Sequence, residues 1–196
     1  MKKIVFISIC SLLSILPLIV NAQNSDAETG IRLYKQNSYA SALPYLQRAA
    51  KAGNTQSFFY LGEMYRLGLG TEKNFTTAMN MYKRGADNSS AGCLYGLALL
   101  HYNGSGVTKN LSTAFSYAQK AADMNYPYAC SAVSIMFASG EGTPKDMKQA
   151  IIYGEKAFNL GENSRCAWLG LVYYNGEDIP QDYSKALMYW TQTNVK

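Results

Sequence analysis

The sequence predicts an all-α fold: an α/α superhelix, or solenoid, of about five antiparallel helix pairs built on a 36-residue repeat. Two patterns predict this fold. A glycine recurs at a constant spacing of 36 residues, at Gly68, Gly104, Gly140 and Gly176. An alanine keeps the same spacing in five copies, at Ala42, Ala78, Ala114, Ala150 and Ala186. A period in this range is typical of repeat proteins, in which each unit completes its core only against its neighbours.

The first half of each repeat is predicted to form a helix that ends at the recurring glycine. Leu61, Met64 and Tyr65 are spaced three and four positions apart, which places them on one side of a helix. Gly68 then ends the helix, and Gly70 allows a turn in which the backbone takes a positive φ. The turn therefore separates two helices within each repeat.

The second half of each repeat is predicted to be a helix that begins at a capping residue. Side chains of this kind accept hydrogen bonds from the exposed N–H groups of the first turn. The five equivalent positions are Ser38, Asn74, Asn110, Asp146 and Asp182. Residues that tolerate a left-handed backbone follow the second helices at Gly53, Asn125 and Gly161. The recurring alanine lies inside this helix, where we expect it to be buried and to let the first helix approach closely.

The pattern that runs from Leu61-Gly62-x-Met64-Tyr65-x-x-Gly68-x-Gly70 to Asn74 and Ala78 resembles the Sel-1-like repeat, a relative of the tetratricopeptide repeat. We expect such units over residues 55–90, 91–126, 127–162 and 163–196, the last with a C-terminal cap. Residues 23–54, with a spacing four residues tighter, resemble a tetratricopeptide unit instead. Two departures lie in the last unit, at Asp178 and at Thr193-Asn194. The resemblance implies a right-handed superhelix that holds other proteins, and it implies neither a reaction nor a cofactor.

The first 22 residues have the features of a cleaved signal peptide. Lys2 and Lys3 precede an apolar run, and Ala22 offers a small residue for cleavage before Gln23. The run is short for a retained membrane span, although a retained anchor is the alternative. We therefore expect an exported protein, periplasmic or secreted, without stable membrane insertion after cleavage.

The composition excludes several classes of protein. Of the 196 residues, 48% are hydrophobic and 16% are charged, so the chain has enough apolar surface to fold and is not predicted to be disordered. The net charge is +5, but the basic residues are scattered rather than clustered. The sequence therefore predicts no nucleic-acid partner.

The residues that could carry out chemistry are few. His101 is the only histidine, and it occupies the repeat position of Tyr65, Phe137 and Tyr173, so we expect it to pack between helices rather than act as an acid or base. The glycine turns recur in the repeats and follow no predicted strand, which favours turns over phosphate-binding loops. No sequence motif for a metal site or a catalytic triad occurs.

The cysteines of the predicted mature chain are expected to be free and largely buried. They are Cys93, Cys130 and Cys166, an odd number. Cys130 and Cys166 occupy one repeat position, and equivalent positions of packed helices lie roughly 9–10 Å apart. A disulfide needs Cα atoms within about 7 Å.

The candidate binding surface is the side of the first helices that faces away from the core of each helix pair. Apolar and tyrosine-rich positions there are typical of a protein-binding surface, since aromatic side chains give contact area at low entropic cost. In tetratricopeptide-like solenoids the same positions line the concave face. The alternative is that Leu99, Ile135 and Leu171 belong to the core between repeats. The candidate residues are Phe59, Glu63, Arg66, Tyr95, Leu99, Tyr102, Ile135, Leu171 and Tyr174.

The sequence thus favours a non-enzymatic scaffold or adaptor of the bacterial envelope that binds another protein through its concave face. The first alternative is a periplasmic immunity protein that binds and neutralises a secreted toxin. A minor alternative, based on cysteine-rich relatives, is a cell-wall or β-lactam hydrolase, but no pair of nucleophile and base is visible in the sequence.

Overall fold

The computed structural model describes residues 25–177 and 179–192, which form ten helices and no strand. The prediction of an all-α fold is therefore confirmed over this part of the chain. The predicted signal peptide, Asp178 and Thr193-Asn194 lie outside the described residues. The helices are α1 over residues 25–35, α2 Tyr39–Lys51, α3 Thr55–Leu67, α4 Phe75–Asp87, α5 Ala91–Asn103, α6 Leu111–Asp123, α7 Pro127–Ser139, α8 Met147–Asn159, α9 Cys166–Asn175 and α10 Tyr183–Gln192.

The chain divides into two compact units, with the boundary between Ala78 and Met79. In unit 1, α2 packs against α3, and Leu46 and Leu61 are fully buried. In unit 2, α5 packs against α6, α7 against α8 and α9 against α10, while α6 also contacts α7 and α8 contacts α9. Unit 2 is therefore a stack of helix pairs, each of which shares apolar surface with its neighbour.

The first helices end as the sequence predicts. The recurring glycines Gly68, Gly104, Gly140 and Gly176 adopt the left-handed conformation, with φ between +69° and +75°. In α3, the N–H of Gly68 donates to the carbonyl of Met64. A residue with a side chain would be strained at this backbone angle, which explains why glycine occupies the position.

Four of the five predicted caps are confirmed. The side chains of Asn74, Asn110, Asp146 and Asp182 each accept a hydrogen bond, 2.9–3.0 Å long, from the backbone N–H three residues later. The prediction for Ser38 is wrong, because its side chain makes no capping bond. Its backbone ψ of 57° departs from the extended conformation of Asn110 and Asp146, so its hydroxyl is not directed at the first turn of α2.

The recurring alanines are buried, as predicted. Ala42, Ala78, Ala114 and Ala150 are fully inaccessible, and Ala186 is 1% exposed. Gly53, Asn125 and Gly161 also have positive φ, at the ends of second helices where the sequence places left-handed residues. The buried alanines, which have only a methyl side chain, let the two helices of a pair lie close together.

The second glycine of the turn packs against the preceding repeat. Gly142 has a φ of +78°, and a Cβ atom built on it would overlap the backbone carbonyl of Leu111 at the start of α6. Gly70 has a φ of +64°, and its Cβ would lie 2.5 Å from the backbone nitrogen of Ala40 in α2. Both turns therefore lie directly on the first turn of a neighbouring second helix.

Helix α9 begins at Cys166, three residues later than its counterparts in the repeat. Arg165 occupies the repeat position at which Ser57, Cys93 and Ala129 are fully buried. Arg165 is the N-cap residue of α9, and its guanidinium group stacks on the ring of Trp168 at 3.9 Å. Burial lowers its pKa to about 10, and its Nε atom is buried without a hydrogen-bond partner in the described part of the chain.

Candidate functional site

Unit 2 contains an apolar cavity between the first helices α5 and α7, which we call the α5–α7 pocket. Its volume is about 190 Å³, it is partly open to solvent, and its walls expose almost no polar atoms. Helix α6 contributes residues to its lining as well. The lining residues are Tyr95, Ala98, Leu99, Tyr102, Ala114, Ala118, Ala132, Ile135 and Met136. An apolar cavity with few polar groups is the common form of a binding site on a protein surface.

Four of the predicted site residues lie in the α5–α7 pocket: Tyr95, Leu99, Tyr102 and Ile135. Ile135 is 43% exposed, so its side chain is not enclosed in the core between the repeats. The ring of Tyr95 also lies 5.6 Å from that of Tyr126, at the start of α7. The helical spacing thus identified residues that converge on one cavity, although it gave no indication that a cavity lies there.

The hydroxyl of Tyr102 is held at the pocket by the next repeat. It donates a hydrogen bond of 2.8 Å to Oε2 of Glu141, in the turn after α7. This bond, and burial after it, raise the pKa of the Tyr102 hydroxyl above its usual value. The ammonium group of Lys109 lies 5.6 Å from the ring centroid. Tyr102 therefore presents a positioned ring to the pocket, and its hydroxyl stays protonated at neutral pH.

The remaining predicted residues of unit 2 lie apart from the α5–α7 pocket. Leu171 is 51% exposed and lines a second cavity of about 180 Å³ with Trp168 and Val172. Tyr174 is 47% exposed, and its ring packs on those of Tyr183 and Trp190 in α10. The structure therefore does not place Leu171 or Tyr174 in the same cavity as Tyr95 and Leu99.

The three predicted residues of unit 1 lie on α3. Glu63 and Arg66 form a two-pronged ion pair with N–O distances of 2.6 and 3.1 Å, and both side chains are more than three-quarters buried. Phe59 is partly buried, and its ring lies 5.4 Å from that of Tyr60. Glu63 and Arg66 thus neutralise each other instead of presenting separate charges to a partner.

The small residues of the α5–α7 pocket are not evident from the sequence. Ala98, Ala118 and Ala132 line the cavity, but a methyl side chain does not mark a position as part of a binding surface. The equivalent positions of unit 2 carry Tyr82, Ala118, Gly154 and Trp190, so alanine at position 118 did not by itself indicate a cavity.

His101 lies between the helices of its own pair, as predicted. Its ring stacks on that of Tyr117 at a centroid distance of 5.7 Å, and its Nδ1 atom is buried without a hydrogen-bond partner. A general base needs a hydrogen-bonded partner that orients it and a path to substrate. This arrangement gives His101 a packing role.

A polar cluster that was not predicted from the sequence lies at the C-terminal end of unit 2. Oε1 of Glu155 accepts hydrogen bonds from the hydroxyls of Tyr173 and Tyr189, at 2.6 and 3.0 Å. Nζ of Lys185 donates to the Tyr173 hydroxyl at 3.0 Å. Burial is the main cause that raises the pKa of both tyrosines, so neither hydroxyl is activated as a nucleophile. The cluster joins α8, α9 and α10.

The cysteines are buried, and the described residues contain no candidate metal site. Cys93, Cys130 and Cys166 are buried and form no disulfide, as predicted, and burial raises the pKa of Cys130 and Cys166. Over residues 25–177 and 179–192, no group of three His, Cys, Asp or Glu side chains could hold a metal ion. In the same ranges, no helix is both long enough and apolar enough to cross a bilayer.

Comparisons with solved structures find relatives with the same repeat architecture. A Sel1 repeat protein from Oxalobacter formigenes is 32% identical with a TM-score of 0.73, and the match covers 85% of this chain and 68% of that protein. The c5321 protein of uropathogenic Escherichia coli, a protective antigen with an SLR fold, is 22% identical with a TM-score of 0.77. That match covers 87% of this chain and 38% of c5321. Helicobacter pylori cysteine rich protein B is 24% identical with a TM-score of 0.52, over 63% of this chain and 94% of that protein.

A comparison with curated proteins found no match to the chain. A comparison with protein families, in contrast, agrees with the solved structures. The Sel1 repeat matches it five times, over residues 25–54, 59–90, 91–126, 127–162 and 166–193. These five segments cover most of the chain, and together with the 32% identical relative they establish that it belongs to the Sel1 repeat family.

Proposed function

We propose that this protein is a non-enzymatic scaffold or adaptor of the bacterial envelope, and that it binds a partner protein at the α5–α7 pocket. Sel1 repeat proteins are generally protein-interaction scaffolds, which gives the broad class. The observation that carries the finer proposal is the apolar cavity of about 190 Å³, into which four candidate residues converge. Apolar cavities bordered by tyrosines are typical of the energetic centres of protein interfaces.

The proposed location rests on the sequence. Lys2, Lys3 and the apolar run up to Ala22 have the pattern of an export signal. We propose that the chain is cleaved before Gln23 and acts outside the cytoplasm. Fractionation of the native cells, followed by the intact mass of the recovered protein, tests this location.

A charge placed at the pocket tests the function. Ile135→Glu puts a carboxylate at the rim of the cavity, at a position that is 43% exposed, so we expect the fold to tolerate it. Partner binding is expected to weaken by at least about 2 kcal/mol, or about 30-fold in Kd, because a charge would be buried at the centre of the contact. Affinity capture from a periplasmic extract, with quantitative mass spectrometry, identifies proteins that the wild type retains and the variant loses.

Ile152→Glu is the matched control. Ile152 lies on α8, is 54% exposed and does not line the α5–α7 pocket, so the change in charge and side chain is the same at a different place. A partner that both variants lose, or that both retain, contradicts the proposed site. The identity of the partner decides the finer role, since a secreted toxin would indicate an immunity protein.

A further inference from the structure

The repeats of unit 2 share a position where side chains from neighbouring helices converge around one aromatic ring, which we call the ring slot. It comprises a second-helix residue, a residue of the first helix of the same repeat, and a residue of the first helix of the next repeat. In the slot of Tyr82, a Cβ atom on Gly96 would lie 2.5 Å from the Tyr82 ring. In the slot of Trp190, a Cβ atom on Gly170 would overlap the indole. In these two slots the ring leaves no room for a Cβ atom at the glycine beside it.

In a third slot the ring comes from a first helix instead of a second helix. The second-helix residue of this slot is Gly154 on α8, and the ring belongs to Trp168 on α9, the first helix of the next repeat. A Cβ atom on Gly154 would lie 3.4 Å from Cζ3 of Trp168 and 3.2 Å from the hydroxyl oxygen of Ser134. That hydroxyl donates to the carbonyl of Ala150 at 2.7 Å, so the slot contains no unpaired polar group from Ser134. Either helix can thus supply the ring, provided that the opposing residues are small.

The remaining slot of unit 2 contains no ring of its own. Its three positions are all alanine: Ala98 on α5, Ala118 on α6 and Ala132 on α7. All three line the α5–α7 pocket. The cavity of about 190 Å³ is therefore a ring slot without its aromatic side chain, at the place where the equivalent slots hold tyrosine or tryptophan.

We propose that the α5–α7 pocket binds one aromatic side chain of a partner protein, which occupies the vacant ring slot; this inference rests on the proposed function and names the chemistry of the partner. An apolar cavity of about 150 Å³ accommodates benzene, so the larger pocket accommodates a phenyl or indole ring. The cavity is partly open, which lets a ring enter while its backbone remains on the surface.

The lining favours an aromatic side chain over an aliphatic one. The alanine side chains of α5, α6 and α7 add little bulk to the lining, and in the neighbouring slots the rings lie beside small residues as well. Tyr95 and Tyr102 border the pocket and can make offset or edge-to-face contacts with an incoming ring. Met136 adds a thioether, which contacts aromatic rings favourably.

The test uses amino acids blocked at both ends, which model a single residue within the polypeptide of a partner. The probes are N-acetyl-tryptophanamide, N-acetyl-phenylalaninamide and N-acetyl-leucinamide, titrated into isotopically labelled full-length protein and followed by two-dimensional NMR. We expect the two aromatic probes to shift resonances of the pocket and to bind about tenfold more tightly than the leucine probe. Equal binding of the leucine probe, or no binding of the aromatic probes, overturns the proposal.

Ala132→Trp tests the place by filling the slot from within, as Trp168 fills its own. The indole of Trp168 leaves 3.4 Å to a Cβ atom at position 154, so the Cβ of Ala118 fits beside an indole at position 132. We expect this variant to lose aromatic-probe binding by at least about tenfold. Ala132→Leu is a smaller filling variant, to be used if the indole perturbs the fold, and Ala52→Trp on an exposed alanine is the control. Unchanged probe binding in a folded filling variant overturns the proposal.

Trp168→Ala tests whether the slots are equivalent. It empties the slot at Gly154, so we expect a second binding site and a stoichiometry of two aromatic probes per chain. A stoichiometry of one overturns the equivalence on which the proposal stands. If the proposed function is wrong but this inference is right, the results differ. The wild-type pocket then binds the aromatic probes, but Ala132→Trp still captures the partner from the extract.

Discussion

The turn glycine Gly142 allows a direct measurement of how tightly neighbouring repeats pack. Its φ is +78°, and a Cβ atom at this position would overlap the carbonyl of Leu111 in α6. Gly142→Ala therefore has two costs. The left-handed backbone costs a residue with a side chain about 1–2 kcal/mol. In addition, the methyl group must push the turn away from α6, which loosens the contact between two repeats.

Gly161→Ala isolates the first of these costs. Gly161 has a φ of +86°, but a Cβ atom there would meet nothing within 4 Å. We expect Gly161→Ala to lower the free energy of unfolding by about 1 kcal/mol, and Gly142→Ala to lower it by about 3 kcal/mol or more, as overpacked sites do. For a chain of this size, a difference of about 2 kcal/mol corresponds to a Tm lower by about 4–8 °C.

Circular dichroism during thermal and urea unfolding measures both variants. The two proteins should have the same helical content at low temperature, so that the comparison concerns stability and not a changed fold. Equal losses of stability in the two variants would refute the reasoning, because they would show that the close approach of the turn to α6 contributes nothing beyond backbone strain.

Two further predictions concern a helix cap and a buried tyrosine. Asp146→Ala should lower the free energy of unfolding by about 1 kcal/mol, because the N–H of Gln149 loses its acceptor. Ser38→Ala removes no capping bond, so it should change the free energy of unfolding by less than about 0.5 kcal/mol. Urea unfolding measures both, and a larger loss in Ser38→Ala would contradict the assignment. Burial raises the pKa of Tyr34 to about 12, above its unfolded value of about 10. Its contribution to stability is therefore complete below about pH 10 and is lost as the pH rises towards about 12. Tyr34→Phe should reduce this alkaline loss in unfolding experiments at about pH 9 and about pH 11, and an identical loss in both proteins would count against it.

Local patterns in the sequence predict most of the local structure. The glycine at Gly68 and the cap at Asn74 each act on backbone groups within a few residues, so their effect follows from sequence neighbours alone. Ser38 fails the same reasoning because its conformation depends on the turn before it, where Asn37 has a φ of +59°. The late start of α9 was not predicted either, although Arg165 stands where the equivalent repeats bury Ser57, Cys93 and Ala129.

The candidate site was predictable only in part, because its geometry depends on contacts between repeats. Helical spacing brings Leu99 and Tyr102 to one side of α5, and both line the pocket. The spacing does not reveal that the Tyr102 hydroxyl binds Glu141, which is 39 residues away in the chain. Nor does it reveal a cavity, since a cavity arises where three helices all contribute alanine and no single helix shows the deficit.

The ring slots also limit how the repeats of this chain can be recombined. Trp168 lies against Gly154 of the repeat before it, whereas Tyr82 lies against Gly96 of the repeat after it. Joining a repeat that carries Tyr82 directly to one that carries Trp168 would place two rings in one slot, and other junctions would leave a slot empty. The helix pairs are therefore not interchangeable parts, and insertion, deletion or shuffling of whole repeats would succeed only where the residues on both sides of the new junction are exchanged together.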